Sequence, residues 1–495
     1  MFSLLKSYES IFSRTSVVQT LFLGPFVALI CYGVCRGIYN VYFHPLRHFP
    51  GPFITSVSDF SKLWVLSTGK IQILTHAAHE KYGPVVRIAP NVLSVSDPLL
   101  LPAIYHRKAN KTDTYATGLL GATPPPFQTL DWREHALKRK RVANSFLLSN
   151  LIKLEGHVDE RITEWMAIVG ERYGATGKKM DFSEWSQWFA YDTVCQLAFG
   201  HPVGFVREGR DISNLIQNFH DMAPFAAVVG ALPWLCVPFL QSSITKRYFM
   251  PKPGDNTGIG KIMASHRSQF RDSLLRERYE DPQAHHKGDF LDNILASKNE
   301  DGSPITLDEV KVECLVLMVA GSDTTTSMFC GFVRCILEYP GVCQRLVAEI
   351  DDHDRRGLLT KPVARYEEIA RMPYFVGCFR EALRLHPPVA IILPRFVSEG
   401  GLDLYGEWAP PGTEIGCNPY VIGRDKGVHG EDADEFRPER WMGNAEKVAH
   451  MDKYSLTWGY GTRTCLAKDV ARVETYKFLV QVTKVTTTRD SLHLC

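Results

Sequence analysis

The chain has 495 residues, 45% of them hydrophobic and 22% charged, and its formal net charge is only +2. That length suits one large domain, and the composition is globular, without low-complexity tracts or internal repeats. So small a charge gives no general electrostatic reason to bind nucleic acid. Twelve cysteines are scattered with neither a CxxC pair nor a Cys/His spacing suited to zinc. This favours reduced thiols on a cytosolic face over a disulfide framework.

From Thr15 to Cys35 the chain runs 21 residues without a charge, enough helix to cross the roughly 30 Å of a bilayer core. A signal peptide or a buried helix would share this composition. The run is long for a signal core and no small-x-small cleavage site follows, so a retained anchor is favoured. Lys6 and Arg14 precede it, Arg36 and Arg47 follow it, and orientation is not decided by charge. Pro45, Pro50 and Pro52 then exclude helix and make residues 41–52 a stiff connector. The expected organisation is an anchor over 1–40, a hinge over 41–52 and one domain over 53–495. Val85–Ile88 and Val92–Val95 flank Ala89-Pro90-Asn91 and read as a β-hairpin. Tyr115–Leu130, with Pro124-Pro125-Pro126, is loop. In the helix after it, His135 and Arg139 share a face, although the basic run Lys138–Arg141 also reads as a solvated surface. Residues 150–300 are mostly helical in period. Within them Pro224–Leu240 is strongly apolar, a membrane contact if exposed and plain core if buried. Gly258-Ile259-Gly260 lacks the third glycine and the preceding strand of a dinucleotide site.

A helix beginning near Leu307 runs into Ala320-Gly321-Ser322-Asp323-Thr324-Thr325-Thr326. Glycine costs about 1 kcal/mol against alanine there, and β-branched threonines add to it. A buried, unpartnered aspartate would cost several kcal/mol more. The segment is either a capped break between two helices or a distorted helix that accepts instability for chemistry, with Asp323 and Thr324 handling protons. Glu381 and Arg384 then sit three apart on a helix face, a cheap signal that Glu368 and Arg371 repeat upstream. Val389–Pro394 is an uncharged, strand-like run. A buried Glu–Arg pair needs further partners, and Arg440 follows within Phe436-Arg437-Pro438-Glu439-Arg440-Trp441.

Trp458-Gly459-Tyr460-Gly461-Thr462-Arg463-Thr464-Cys465-Leu466-Ala467 presents one cysteine on a glycine-rich loop. Arg463 offers a planar set of donors to a carboxylate. A helix-patterned run follows (Leu466, Val470, Val473, Tyr476, Leu479, Val480), so Cys465 lies at a helix N-terminus that favours thiolate. Such a thiolate is a nucleophile or a metal ligand; a buried structural cysteine is the plainer alternative.

This loop resembles the haem-binding loop of the cytochrome P-450 family, Phe-Gly-x-Gly-x-Arg-x-Cys-x-Gly, with Trp458 for the phenylalanine and Ala467 for the last glycine. The Ala320–Thr325 segment, Glu381/Arg384 and the Phe436–Trp441 segment match further family motifs in order, most like fungal members of secondary metabolism and the pisatin demethylase-like branch. The resemblance implies a mainly α fold with a small β region, preceded by one transmembrane helix, with the domain on the cytosolic side of the endoplasmic reticulum. It implies haem b with Cys465 as the axial thiolate to iron, favouring O–O cleavage. Arg463, Arg139 and His135 are implied to face the propionates, Thr324 to bond dioxygen or a water beside it, and Asp323 to feed protons. Glu381, Arg384 and Arg440 form the implied structural cluster beneath the loop. The hinge is one that anchored members carry, Pro224–Leu240 falls in the roof of the pocket, and Val389–Pro394 lines it for an apolar small molecule. With no flavin or nicotinamide site, electrons come from a separate NADPH-dependent reductase docking on the basic face near Cys465. Gly423 stands where the family commonly has histidine. Only 30 residues follow Cys465, and helix is expected to about Val482. Beyond that the closing strand pattern is missing, so the C-terminus reads as truncated or altered after about 483. The alternative functions are a haem protein with lost turnover, or a haem-thiolate isomerase or dehydratase; the Asp323-Thr324 pair argues against the last.

Overall fold

The computed structural model describes residues 24–117, 124–174, 178–243, 288–299 and 301–488, with the isolated positions 176, 245, 275, 278 and 279. The start of the expected anchor (15–23), Gly258-Ile259-Gly260 and the tail after Thr488 lie outside these residues. The helices that build the site are α1 Gly24–Tyr42, α2 Trp132–Val142, α3 Glu155–Tyr173, α4 Phe182–Phe199, α5 Leu215–Ala231, α6 Pro233–Gln241, α7 Leu307–Glu338, α8 Pro373–Leu385 and α9 Lys468–Thr488. The strands are β1 Val85–Ala89, β2 Val92–Val95, β3 Arg395–Phe396, β4 Leu402–Leu404, β5 Glu407–Ala409 and β6 Glu414–Gly416.

α3, α4, α7 and α9 form the centre, and one ring joins all four. Phe478 of α9 stacks on Phe189 of α4 at 4.1 Å between centroids, and meets Phe329 of α7 at 4.5 Å and Trp165 of α3 at 4.9 Å. α4 is buried almost along its whole length, so nothing but tertiary packing and its ends can fix it. Asp181 caps its first turn by accepting from the Ser183 and Glu184 amides, and Gly200 ends it in the left-handed region at φ 71°. α7 starts on a full capping box between Thr306 and Glu309.

α7 runs unbroken through Ala320–Thr326, so the capped break does not occur. Gly321 has a packing reason: a Cβ there would lie 2.7 Å from Val194 Cγ2, and only glycine lets α7 pass α4 so closely. The hydroxyls of Ser322, Thr324 and Thr326 donate to carbonyls four residues back, at 2.6, 2.7 and 3.0 Å. α7 is also apolar enough to be a membrane span by composition, yet it is packed within the protein core.

The hairpin is present: β1 and β2 pair antiparallel, Val85 opposite Val95, in a sheet of order β1-β2-β6-β3. β4 and β5 make a separate hairpin. Val389–Pro394 is not a strand. Pro387, Pro388 and Pro394 remove ladder donors, and Val389 and Ile391 stay 41% and 48% exposed. The hinge is no free linker, because Leu46 and Phe49 are buried in the core that holds the sheet. Asn40 Nδ2 donates to the Val57 carbonyl at 2.9 Å, and Gly37 passes close to Val57, so the end of α1 is fastened to the body. α5 and α6 meet at a 111° bend. The apolar run that spans them is exposed at Trp234, Leu235 and Phe239, with Trp234 edge-on to Phe60 at 6.3 Å. α9 reaches Thr488, beyond the expected Val482.

Phe478→Ala removes the ring shared by four helices and is expected to cost about 3–5 kcal/mol, read as a lower urea midpoint. No loss would mean that the four helices do not depend on this contact.

Candidate active site

The cysteine loop is built by glycine. Gly459 and Gly461 take φ of 77° and 64°, and a Cβ on Gly461 would lie 2.7 Å from the Tyr105 carbonyl oxygen. The Cys465 amide closes the loop onto the Trp458 carbonyl at 2.7 Å. Cys465 is surface-accessible and at the same time deep among protein atoms, as a side chain lining an internal cleft must be. Burial raises its thiol above the ordinary value; the Ala467 amide, Arg139 and Lys468 offset this only in part. The helix begins three residues on, at Lys468, and a coordinated cation would favour the thiolate further.

Around this loop the fold collects positive charge. Lys111 and Arg395 face each other in an isolated antiparallel bridge beside β3. The Lys111 amide donates to the Leu130 carbonyl at 3.1 Å, and Arg463 donates to the Thr129 and Leu130 carbonyls at 2.7 Å each. Arg139 donates to the Thr464 carbonyl at 2.8 Å, next to the cysteine. Lys111 and Arg395 are 6% and 5% exposed. Lys111 Nζ lies 4.0 Å from the Tyr115 ring centre and 4.2 Å from that of Phe127. Burial, with Arg395 and Arg463 adding to it, drives the Lys111 ammonium well below its ordinary value, and burial takes Arg463 to about 10. His135 is held neutral, near 3, first by burial and then by Arg463, Arg139, Lys111 and Arg395.

None of these groups has a carboxylate partner among the described residues. A buried set of cations without counter-charge is costly; a ligand with two carboxylates would reverse each of these shifts. Iron protoporphyrin has that charge pattern, and an accessible thiol beside it supplies a soft ligand for the iron, so the residues fit the implied group. The sequence reading reached Arg139, Arg463 and His135 but not Lys111 or Arg395, which only the bridge to β3 brings in. His135 at rest is neutral and can give the ligand a hydrogen bond rather than charge.

On α7, Asp323 turns away from Thr324 by the ~100° of one helical residue. Gln187 Nε2 of α4 donates to its Oδ1 at 2.8 Å, and His220 Nε2 of α5 lies 3.5 Å away. His220 is 46% exposed at its side chain and Asp323 29%, so the three form a polar path from solvent to α7. Neither Gln187 nor His220 carries a sequence signal. Thr324 donates to Ala320, which leaves its oxygen lone pairs able to accept.

Glu381, Arg384 and Arg440 do come together. Glu381 is fully buried and accepts from Arg384 Nε and an Arg384 terminal nitrogen at 2.8 and 2.7 Å, from Arg440 Nε at 3.1 Å, from the Arg437 amide at 3.1 Å and from Trp441 Nε1 at 2.9 Å. Burial alone would raise its carboxyl; Arg384, Arg440 and the Arg437 amide together hold it below the usual value. Arg384 also reaches the Gly423, Ala433 and Glu435 carbonyls. A Cβ on Gly423 would lie 2.5 Å from the Arg384 carbonyl oxygen, so a side chain there has no room. Arg380, one residue before Glu381, pairs with Asp452 in the segment that leads into the cysteine loop.

Residues 50–484 match the family model described as Cytochrome P450. The chain is 32% identical over 483 residues to quiannulatic acid synthase of Emericella variicolor, covering 94% of this chain and 93% of that one. It is 31% identical over 465 residues to cytochrome P450 monooxygenase gsfF of Penicillium aethiopicum, covering 92% and 90%. Cytochrome P450 monooxygenase cicH of Emericella nidulans is 30% identical over 456 residues, covering 90% and 89%.

Glu381→Gln is expected to destabilise the fold by about 3–5 kcal/mol at neutral pH, because two arginines lose their counter-charge. The native Glu381 carboxyl is depressed, so its contribution is complete above the unfolded value of about 4.3 and is lost as pH falls through the native one. The gap between wild type and variant in denaturant titrations should therefore close only at acid pH. A gap that stayed constant from neutral pH down through that range would argue against the ion pair.

Proposed function

Because the chain belongs to the cytochrome P450 family, we propose that it is a membrane-anchored haem-thiolate monooxygenase of fungal secondary metabolism, acting on an apolar small molecule. Members of the family bind haem with a cysteine thiolate as axial ligand, and Cys465 is that ligand here. The observation that carries this reading is the accessible, deeply set Cys465 thiol beside four cations, the buried Lys111 and Arg395 and the half-buried Arg139 and Arg463, that have no acid partner among the described residues. Bound haem supplies the reduction of dioxygen, one oxygen atom entering the substrate and the other leaving as water.

The chain's own residues do the rest. Arg139, Arg395, Arg463 and Lys111 hold the propionates, with His135 donating a hydrogen bond. Asp323, held by the Gln187 amide, draws protons through His220 and passes them to water at Thr324. The Thr324 hydroxyl, fixed by the Ala320 carbonyl, accepts a hydrogen bond in the cleft. Val389 and Ile391 stay accessible on the prolyl-bounded run and supply an apolar wall. Glu381, Arg384 and Arg440 keep the segment under the loop in place and serve haem incorporation rather than chemistry.

Residues 1–40 anchor the protein, 41–52 fix how the body leaves the membrane, and 53–495 form the catalytic domain on the cytosolic side of the endoplasmic reticulum. Phe53, Trp64, Trp234 and Phe239 are each more than half exposed on the elements tied to the end of α1 and on α6, and they rest on the bilayer. Electrons arrive from a separate NADPH-dependent reductase. Arg133 and Lys140, exposed on α2, and Lys468 beside Cys465 give it a basic face.

The carbon monoxide difference spectrum of the dithionite-reduced protein tests the ligand. A strongly red-shifted Soret band is expected and should vanish in Cys465→Ser; a band typical of histidine ligation would overturn the assignment. Thr324→Ala is expected to keep that band and the rate of NADPH use while product per NADPH falls severalfold. Unchanged coupling would remove Thr324 from proton handling.

A further inference from the structure

We propose that Glu313 anchors a hydroxyl or ammonium group at the end of the substrate remote from the carbon that is oxidised. The inference rests on the monooxygenase reading above and adds a substrate class to it.

Glu313 stands eleven residues before Thr324 on α7. At 100° per residue the two fall within about 20° of one face, separated by about 16 Å along the axis. Ala320 and Ser327 share this face and are exposed although α7 packs in the core, so the face borders the internal cleft. Leu317 lies between, half-buried. The face thus has a carboxyl at one end, the Thr324 hydroxyl at the other, and an apolar middle.

Glu313 lines a small, partly open recess with Pro124, Pro125, Val312, Arg141 and Glu309, with room for about one water-sized group such as a hydroxyl or ammonium head. The charged groups that surround it are already engaged. Arg141 binds Glu309 at 3.1 Å and Asn299 at 2.5 Å. Lys138 binds Glu134 at 2.6 Å, the Pro124 carbonyl at 2.7 Å and Thr129 at 3.3 Å. Among the described residues no donor bonds the Glu313 carboxyl. Burial pushes it up to about 7, against the pull of Arg141 and Lys138. An unanswered carboxyl beside two prolines and a valine is a cost to stability. A donor brought in by a ligand would remove that cost, whereas a carboxylate or phosphate would be repelled. The matching substrate is an extended apolar molecule whose hydroxyl or amine lies on the order of 10–15 Å from the oxidised carbon.

The test uses haem-loaded protein and 1-alkylimidazoles of increasing chain length, ended by methyl, hydroxyl or ammonium. The imidazole binds iron and fixes one end, and the Soret shift reports affinity without turnover. At pH 8.5, where Glu313 is ionised, one chain length is expected to bind about tenfold or more tightly with ammonium than with methyl. The preference should shrink at pH 5.5, where Glu313 is protonated. Glu313→Gln should abolish it while leaving the methyl-ended affinity unchanged, and Glu313→Asp should move the optimum to a longer chain. A preference surviving in Glu313→Gln, or none at any length, would overturn the anchor. Absence of any Soret shift, even with the methyl-ended series, would overturn the haem reading and the anchor with it.

Discussion

A carboxylate with no access to water has to be answered atom by atom, and Glu381 is the place where this protein does so. Its two oxygens take five donors from Arg384, Arg437, Arg440 and Trp441. Those donors come from α8 itself and from the turn at 437–441, while Arg384 continues to three carbonyls between 423 and 435. One buried charge thus fixes the relative position of a helix and a long stretch of chain without regular structure, which apolar packing alone would hold poorly. Through the adjacent Arg380 and Asp452 the same helix steadies the approach to the cysteine loop.

The cations near Cys465 follow the opposite rule. Among the described residues Lys111, Arg139, Arg395 and Arg463 meet carbonyls, ring faces and the Tyr115 hydroxyl but no acid. The contrast between the two clusters separates architecture from function more sharply than burial does. At Glu381 the pair is completed within the protein; around Cys465 it is left open among the described residues, which is the charge pattern that a ligand with two carboxylates would complete. Glu313 is a third case, an acid on α7 that meets no donor among the described residues and is raised by burial.

Much of this was legible in the sequence because the chemistry demands unusual local residues. Gly459, Gly461 and Cys465 are conspicuous in a loop, and Asp323-Thr324 in an apolar helix contradicts propensity. The hairpin was readable from its turn residues, and the start of α7 near Leu307 from the apolar run that follows it. What escaped depends on contacts between distant segments. Lys111 and Arg395 look ordinary until a bridge sets them side by side, and His220 and Gln187 acquire meaning only where α4 and α5 cross α7. One reading fails for a physical reason: the run at 389–394 has strand composition, but prolines deny it a partner. Gly321 was read as a cost, and its compensation, the close passage of Val194, is visible only in three dimensions.

The fastening of α1 to the body has a consequence for how the enzyme meets its substrate. A flexible tether would let the domain tumble and sample solutes from every side. Here Asn40, Gly37 and the buried Leu46 and Phe49 remove that freedom. Under the anchored reading proposed above, one side of the domain then keeps a constant posture against the lipid, and an apolar substrate reaches it by lateral diffusion in two dimensions. Its effective concentration is then set by how it partitions between lipid and water, with the bilayer as the substrate store.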